Sequence, residues 1–142
     1  VKDEDIIKIG DLNLRVIHTP GHTDDSLSYF LETGNNRYVF TGDTLLVRGT
    51  GRTDFQNGDS SQLYESITMK LFSLPDDTIV YPGHDYNGQT QSLISEEKKF
   101  NPRVAGNSKA EFINIMDSLD LPNPKLIDIA VPANQSCGNT DH

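Results

Sequence analysis

Several stretches of the chain have the residue patterns of β-strands. Leu12, Leu14 and Val16 alternate with polar neighbours, which indicates a strand with one buried face. Residues 27–33 and 37–41 are β-prone and are separated by the turn sequence Gly-Asn-Asn, so they predict a hairpin. Residues 78–81 form another short β-prone run that ends at a Pro-Gly pair, and they predict a further strand.

Helical patterns follow these strands. The capping residue Asp59 precedes leucine and isoleucine at helical spacing, which predicts a helix over residues 60–73. The polar stretch 91–100, before an Asn-Pro pair, predicts a second helix. Ser108 and Glu111 form a capping box that opens a third helix with one apolar side. The acidic run 2–5 is interpreted as a solvated terminus, and the proline-rich tail after Leu121 as irregular.

The order of these elements predicts the fold class. Strands come first, followed by helix, strand, helix and helix, so helices must cover a face of the sheet and the architecture is α/β. The 142 residues fit one domain, since domains usually have about 100–200 residues. Hydrophobic residues make up 35% and charged residues 23% of the chain, a composition typical of globular proteins.

The net charge and the cysteine content limit which classes of partner and which cellular compartment we expect. The formal net charge is −9, which disfavours nucleic acid and membrane surfaces as partners. Cys137 is the only cysteine, so no intramolecular disulfide or cysteine-rich zinc site can form within this chain. No apolar run is long enough to span a bilayer, and Val1 opens into a charged segment with no signal-peptide pattern. We expect a cytoplasmic protein, or one of the mitochondrial matrix in a eukaryote.

Three loops carry the candidate chemistry. His22, Asp43 and His84 each follow a predicted strand and come directly after a glycine. Glycine lets the backbone turn sharply, and the strand before it fixes the direction of the side chain. One such pair is more often an ordinary turn, but three in one chain favour a shared metal site. Two histidines and a carboxylate suit non-haem iron(II) and also zinc, so the ligand types leave iron and zinc as alternatives.

The loop sequences resemble a known family. Residues 18–23 (HTPGHT), 40–45 (FTGDTL) and 81–86 (YPGHDY) are similar to the third, fourth and fifth metal-binding motifs of the metallo-β-lactamase superfamily, in the family order. The segments at 49–56 (GTGRTDFQ), 84–86, 101–103 (NPR), 130–134 (AVPAN) and 137–138 resemble the persulfide dioxygenase branch more closely than the glyoxalase II branch. The resemblance covers roughly residues 12–138.

The resemblance also indicates what is missing. The first superfamily signature, HxHxDH, does not occur in residues 1–142. We therefore expect these residues to form the carboxyl-terminal half of one αβ/βα sandwich domain, with a mixed sheet covered by helices and an amino-terminal half that lies outside the sequence. The family then implies one iron(II) per complete domain, with zinc as the alternative. Its ligands would be His22, Asp43 and a third ligand upstream of Val1.

The resemblance implies roles for other residues as well. His84 aligns with the second metal position of the binuclear hydrolases, and we expect it to support the iron ligands rather than to bind iron. Tyr86 and Arg103 resemble residues that hold the glutathione part of the substrate. Arg52 and Asp85 align with positions near the site, and we expect them to support the ligands. His18 is interpreted as a partly buried, hydrogen-bonded residue, and Cys137 receives no role.

The implied reaction is oxidation of glutathione persulfide by O₂ to sulfite and glutathione, with His22 and Asp43 as the catalytic metal ligands. The alternatives are a glyoxalase II-like binuclear thioester hydrolase and an inactive fragment that needs the missing half of its domain as a partner. A homodimer is kept as an alternative assembly.

Overall fold

The computed structural model describes residues 1–84 and 88–119. Its main sheet has six strands in the order β1-β2-β3-β4-β7-β8. Their bounds are β1 Ile6–Ile9, β2 Leu12–His18, β3 Leu27–Thr33, β4 Asn36–Gly42, β7 Ile79–Pro82 and β8 Ser92–Leu93. The short strands β5 (Leu45–Leu46) and β6 (Gly49–Thr50) pair separately as a small hairpin. The mixed sheet with helices confirms the α/β class.

The predicted hairpin forms as expected. Strands β3 and β4 are antiparallel, and Thr33 lies opposite Asn36 at the turn. Gly34 has a φ of +59°, in the left-handed region that such tight turns require. The strand over Leu12 to Val16 is also confirmed and extends to His18.

The helix predicted over residues 60–73 is present but changes its pitch. It starts as α1 (Ser60–Glu65), where the Asp59 side chain accepts a hydrogen bond from the Gln62 amide. It continues as a π-helical turn over Ser66–Lys70 and ends as a 3₁₀ turn over Leu71–Ser73. The third helix, α3 (Lys109–Asp117), has both reciprocal bonds of the predicted capping box between Ser108 and Glu111.

The second predicted helix begins later than expected. Helix α2 covers Ile94–Phe100, whereas residues 92–93 form the edge strand β8. Ser92 pairs antiparallel with Val80 of β7, so pairing with the sheet overrides the local helical preference of this polar stretch.

The acidic run at the start is exposed, as expected for a solvated terminus, but it is also hydrogen-bonded to the sheet. The Asp3 carboxylate accepts a hydrogen bond of 2.7 Å from the His18 amide and lies 3.5 Å from Lys70 Nζ. Strand β1, which the alternation pattern missed, follows directly and pairs with β2. His18 is half-buried, and its Nε2 lies 3.1 Å from the Asp24 carbonyl oxygen, which confirms the interpretation of that residue.

The two faces of the sheet differ. One face packs on the helices through a buried core that includes Ile17, Val39, Val80, Leu63, Ile67, Leu71, Ile94 and Phe112. The other face carries Tyr38, Phe40 and Tyr81, whose rings stack across β4 and β7 with centroids 6.1 Å and 5.8 Å apart. Phe40 is 40% exposed, so within the described residues this apolar face is only partly covered. None of the described helices is long and apolar enough to cross a membrane.

Strand directions bring the three candidate loops to one edge. Strand β2 is antiparallel to β3, which is antiparallel to β4, and β4 is parallel to β7. Strands β2, β4 and β7 therefore run the same way, and the loops that follow them leave from the same edge of the sheet.

Candidate metal centre

The loop after β2 requires glycine at position 21. Gly21 has a φ of +142°, and a Cβ added there would fall on the backbone of Leu63 in α1. The loop is bound to the segment before α1, because the Asp59 amide donates to the Gly21 carbonyl at 2.8 Å. The close approach of this loop to α1 fixes the backbone from which the His22 side chain extends.

The His22 ring has a defined orientation. Its Nδ1 lies 2.7 Å from the Arg52 carbonyl oxygen, and since a carbonyl only accepts, Nδ1 carries the proton. The opposite nitrogen, Nε2, is then the one with a lone pair, and it lies 3.6 Å from Oδ2 of Asp43. Both side chains are about a quarter exposed, at 25% and 27%. A histidine whose second nitrogen donates to a backbone carbonyl is the usual form of a metal ligand.

Asp43 also contacts His84. Nδ1 of His84 forms a short hydrogen bond with Oδ1 of Asp43, and the His84 side chain is 58% exposed. The two loops are held together at the backbone, because the Gly83 amide donates to the Gly42 carbonyl at 2.7 Å. Gly42 adopts a left-handed φ of +51° immediately before Asp43. The carboxylate thus lies between the two histidines.

Gly51 forms the wall behind this cluster. It is buried, and a Cβ added there would fall on the Asp43 carbonyl oxygen and lie 2.7 Å from His22 Nδ1. No larger residue fits while His22 and Asp43 keep their positions. No role is predicted for Gly51 from the sequence, although it stands in the recognisable run Gly-Thr-Gly-Arg.

The His22 and Asp43 donors fit a divalent metal. Two ligands at about 2.0–2.2 Å from one ion are roughly 3–3.7 Å apart at angles of about 90–120°, and the Nε2 to Oδ2 separation of 3.6 Å falls in that range. Across residues 1–84 and 88–119, however, no three His, Cys, Asp or Glu side chains converge to hold a metal ion. A further ligand upstream of Val1 stays a prediction.

A buried group of hydroxyls lies beneath the ligand loops. Thr19 Oγ1 lies 3.0 Å from Ser28 Oγ and 3.3 Å from Thr44 Oγ1. All three residues are almost fully buried, so these bonds tie the loop that carries His22 to the loop that carries Asp43. This group could not be predicted from the sequence, because isolated Ser and Thr residues are common in strands and turns.

Arg52 acts on the site through its backbone. Its guanidinium binds Asp54 with two hydrogen bonds of 2.7 Å and 2.8 Å and lies 4.2 Å from the ring centroid of Phe55. Its carbonyl oxygen is the group that contacts His22. The backbone of Arg52 therefore supports His22, and a supporting role of its side chain stays a prediction.

Arg103 is a half-buried cation close to this wall. Its Nη1 donates to the Thr50 carbonyl at 2.8 Å and to the Thr50 hydroxyl at 3.0 Å. Burial lowers the pKa of the Arg103 guanidinium from its ordinary value, because lost hydration disfavours the charged form. No salt bridge joins it to a carboxylate among the described residues. Asp85, Tyr86 and Cys137 lie outside the described residues.

His22 and Asp43 lie together on strand-end loops of a mixed, helix-covered sheet, as the resemblance to the metallo-β-lactamase motifs predicts. The profile of the metallo-β-lactamase superfamily matches residues 1–84. The chain belongs to this superfamily.

Individual relatives show which branch of the superfamily the chain is most similar to among those compared. The chain is 46% identical over 138 residues to the human mitochondrial persulfide dioxygenase ETHE1, which covers 97% of this chain and 53% of the relative. The crystal structure of ETHE1 from Myxococcus xanthus superposes with a TM-score of 0.90 at 62% identity, over 98% of this chain and 60% of that one. The resemblance to the persulfide dioxygenase branch is confirmed.

Hydrolases of the superfamily are also similar. A probable hydroxyacylglutathione hydrolase of Schizosaccharomyces pombe is 46% identical over 94 residues, which are 66% of this chain and 36% of the relative. The chain spans about half the length of the human dioxygenase. The activity of the complete protein is therefore proposed below.

Proposed function

We propose that this chain is part of a non-haem iron persulfide dioxygenase, in which glutathione persulfide, O₂ and water give glutathione and sulfite. The observation that carries the proposal is the pairing of His22 Nε2 with Asp43 Oδ2 at 3.6 Å, in a chain similar to persulfide dioxygenases over nearly its full length. A histidine and a carboxylate are two of the three protein ligands that mononuclear iron(II) oxygenases use.

In this proposal His22 and Asp43 hold one iron(II) per complete domain, and the third protein ligand comes from upstream of Val1. When bound between these residues, iron(II) would supply the chemistry that brings a sulfur donor and O₂ together. The Arg52 carbonyl keeps the His22 proton on Nδ1, which leaves Nε2 for the metal. His84 holds Oδ1 of Asp43, so its role is to orient the carboxylate.

The substrate proposal depends on Arg103. Within residues 1–84 and 88–119, the Arg103 cation has lost hydration without gaining a carboxylate, so an external anion could supply that partner. In the same residues its side-chain hydrogen bonds run from Nη1 to Thr50. A guanidinium binds carboxylates well, and glutathione carries two of them. We place the glutathione part of the substrate at Arg103, together with Tyr86.

The proposed partners are therefore glutathione persulfide, O₂ and the upstream half of the domain. The name of the human relative places that protein in mitochondria. We propose the mitochondrial matrix for this chain if it is eukaryotic and the cytoplasm otherwise.

Oxygen uptake tests the proposed reaction. The complete protein that carries this sequence is loaded anaerobically with iron(II) and given glutathione persulfide, and an oxygen electrode follows the reaction. We expect stoichiometric formation of sulfite, and no uptake with glutathione alone. If protein that is shown to contain iron takes up no oxygen with this substrate, the dioxygenase proposal is refuted.

The second candidate is a binuclear thioester hydrolase. Two observations favour it: the contact of His84 with Asp43 and the similarity to a probable hydroxyacylglutathione hydrolase. Two metals would then share Asp43 and generate hydroxide. Hydrolysis of a glutathione thioester by protein with two bound metals, without oxygen uptake, would establish it. The third candidate is an inactive fragment. In that case residues 1–142 alone should show neither oxygen uptake nor thioester hydrolysis.

A further inference from the structure

A fully buried carboxylate lies behind the wall of the metal centre. Glu97 of α2 has no exposed surface, and a charge in such a position needs partners for both oxygens. The Arg48 amide donates to Oε1 at 2.8 Å and Asn101 Nδ2 donates to the same oxygen at 3.0 Å. Oε2 accepts from Ser92 Oγ at 2.5 Å and from the Arg48 guanidinium. Glu97, Arg48, Asn101 and Ser92 together are named the Glu97 cluster.

The Glu97 cluster fixes an unusual backbone conformation. Arg48 has a φ of +57°, which residues with a Cβ seldom adopt without compensation from their surroundings. Its amide and its guanidinium both bind the same carboxylate. The carboxylate therefore holds the turn between β5 and β6 in place.

Between this turn and the candidate metal centre, each successive backbone carbonyl from Gly49 to Arg52 is near a side chain that fixes it. Asn101 Nδ2 donates to the Gly49 carbonyl at 3.1 Å, and Arg103 Nη1 donates to the Thr50 carbonyl at 2.8 Å. Gly51 follows and packs against His22 and Asp43. The next carbonyl, that of Arg52, accepts the bond from His22 Nδ1.

We propose that the Glu97 cluster is a positioning device for the metal centre, in which a buried carboxylate on α2 sets the orientation of the His22 imidazole through the backbone of residues 48–52. The proposal rests on the proposed metal site. Glu97 touches neither His22 nor Asp43 in any hydrogen bond of the described residues, so its effect on metal binding is indirect. Loss of such outer support commonly weakens metal affinity by about 10–100-fold.

The test removes the anchor without leaving an uncompensated buried charge. The double variant R48M/E97M replaces the ion pair with apolar side chains of similar size, an exchange that folded proteins often tolerate. The matched control is E96Q on the same helix, because Glu96 also contacts Arg48, at 3.2 Å, but is 45% exposed. Both variants are made in the complete protein.

Two readouts separate positioning from general stability. Competition with a ferrous chelator under anaerobic conditions measures iron(II) affinity, and hydrogen exchange of the metal-free protein measures protection at residues 48–52. We expect R48M/E97M to remain folded, to bind iron about 10–100-fold more weakly and to exchange faster at 48–52 than the wild type does. E96Q should match the wild type in both.

Wild-type affinity and exchange in a folded R48M/E97M would overturn the proposal. If that variant does not fold, N101A replaces it. This change removes the bonds of Asn101 to the Gly49 carbonyl and to Glu97 Oε1, and it leaves the ion pair of Arg48 and Glu97 intact. Unchanged exchange at 48–52 in N101A would likewise overturn it. The exchange readout needs no metal, so a wild-type protein that binds no iron counts against the proposed function and not against the positioning role.

Discussion

His22 and Asp43 are 21 positions apart in the sequence, yet His22 Nε2 lies 3.6 Å from Asp43 Oδ2 in the fold. His84 reaches the opposite oxygen of the same carboxylate. The two histidines therefore have different relations to Asp43, and substitutions distinguish their roles.

In the complete protein, Asp43→Ala should abolish both iron retention and oxygen uptake, because it removes a metal ligand. His84→Ala should keep most of the iron and lower activity by about 10–100-fold, as expected for a residue that orients a ligand. Metal analysis by mass spectrometry and oxygen-electrode assays measure both effects. Two zinc ions per wild-type chain, with one lost in His84→Ala, would instead support the binuclear hydrolase.

Gly51→Ala tests the wall of the centre. The added methyl group would overlap the Asp43 carbonyl oxygen and the His22 ring, so the ligands must move. We expect weaker iron binding and a loss of stability of about 1–3 kcal/mol, the usual cost of overpacking. Gly49→Ala is the control, since its Cβ would meet only Leu46 at 3.9 Å. Equal iron affinity in both variants would argue against a tight wall.

Arg103→Ala tests substrate binding. If the guanidinium binds a carboxylate of glutathione persulfide, its loss should raise KM about tenfold or more, since bonds to charged groups contribute about 1.5–3 kcal/mol. KM should change more than the iron content does, although Arg103 also holds the Thr50 carbonyl of the turn that supports His22. Thr50→Val is the control, because it removes the 3.0 Å bond to Arg103 but keeps the cation. A parallel loss of iron in Arg103→Ala would reassign the residue to a structural role.

Asp3 makes the free energy of unfolding depend on pH. The hydrogen bond from the His18 amide, with a smaller contribution from Lys70, lowers the pKa of the Asp3 carboxyl below its ordinary 3.8. Because the pKa of Asp3 is lower in the folded state than in the unfolded state, the ionised carboxylate stabilises the fold at pH values above the unfolded-state pKa. This stabilisation is lost as the pH falls through the folded-state pKa. Solvent screening limits it to about 1 kcal/mol or less, because the side chain is 43% exposed.

Asp3→Asn should therefore be less stable than the wild type near pH 6, and the difference should shrink once the pH falls below 3.8, the ordinary pKa of the carboxyl. Urea unfolding between these pH values measures it. Asp11→Asn, which changes an exposed carboxylate between β1 and β2, is the control. A difference that persists at low pH would show that the carboxylate charge is not the cause.

Local signals in the sequence determined much of the fold. Alternation and turn residues located the hairpin of β3 and β4, and capping residues located the starts of α1 and α3. The same kind of signal identified His22, Asp43 and His84, because a glycine next to a potential ligand after a strand is visible in the sequence. These features depend on neighbours within a few residues, so the sequence alone specifies them.

Tertiary structure decided the features that depend on distant partners. Strand β8 exists because Ser92 pairs with Val80, and Asp3 is bound because β2 ends beside it. The support for His22 comes from the Arg52 carbonyl, 30 residues away, and the wall behind it is anchored by Glu97, 49 residues from Arg48. Burial and hydrogen bonding between such segments follow only from the packing of the whole sheet and its helices. Sequence patterns therefore indicated which side chains are candidate metal ligands, and only the fold determined what holds them in place.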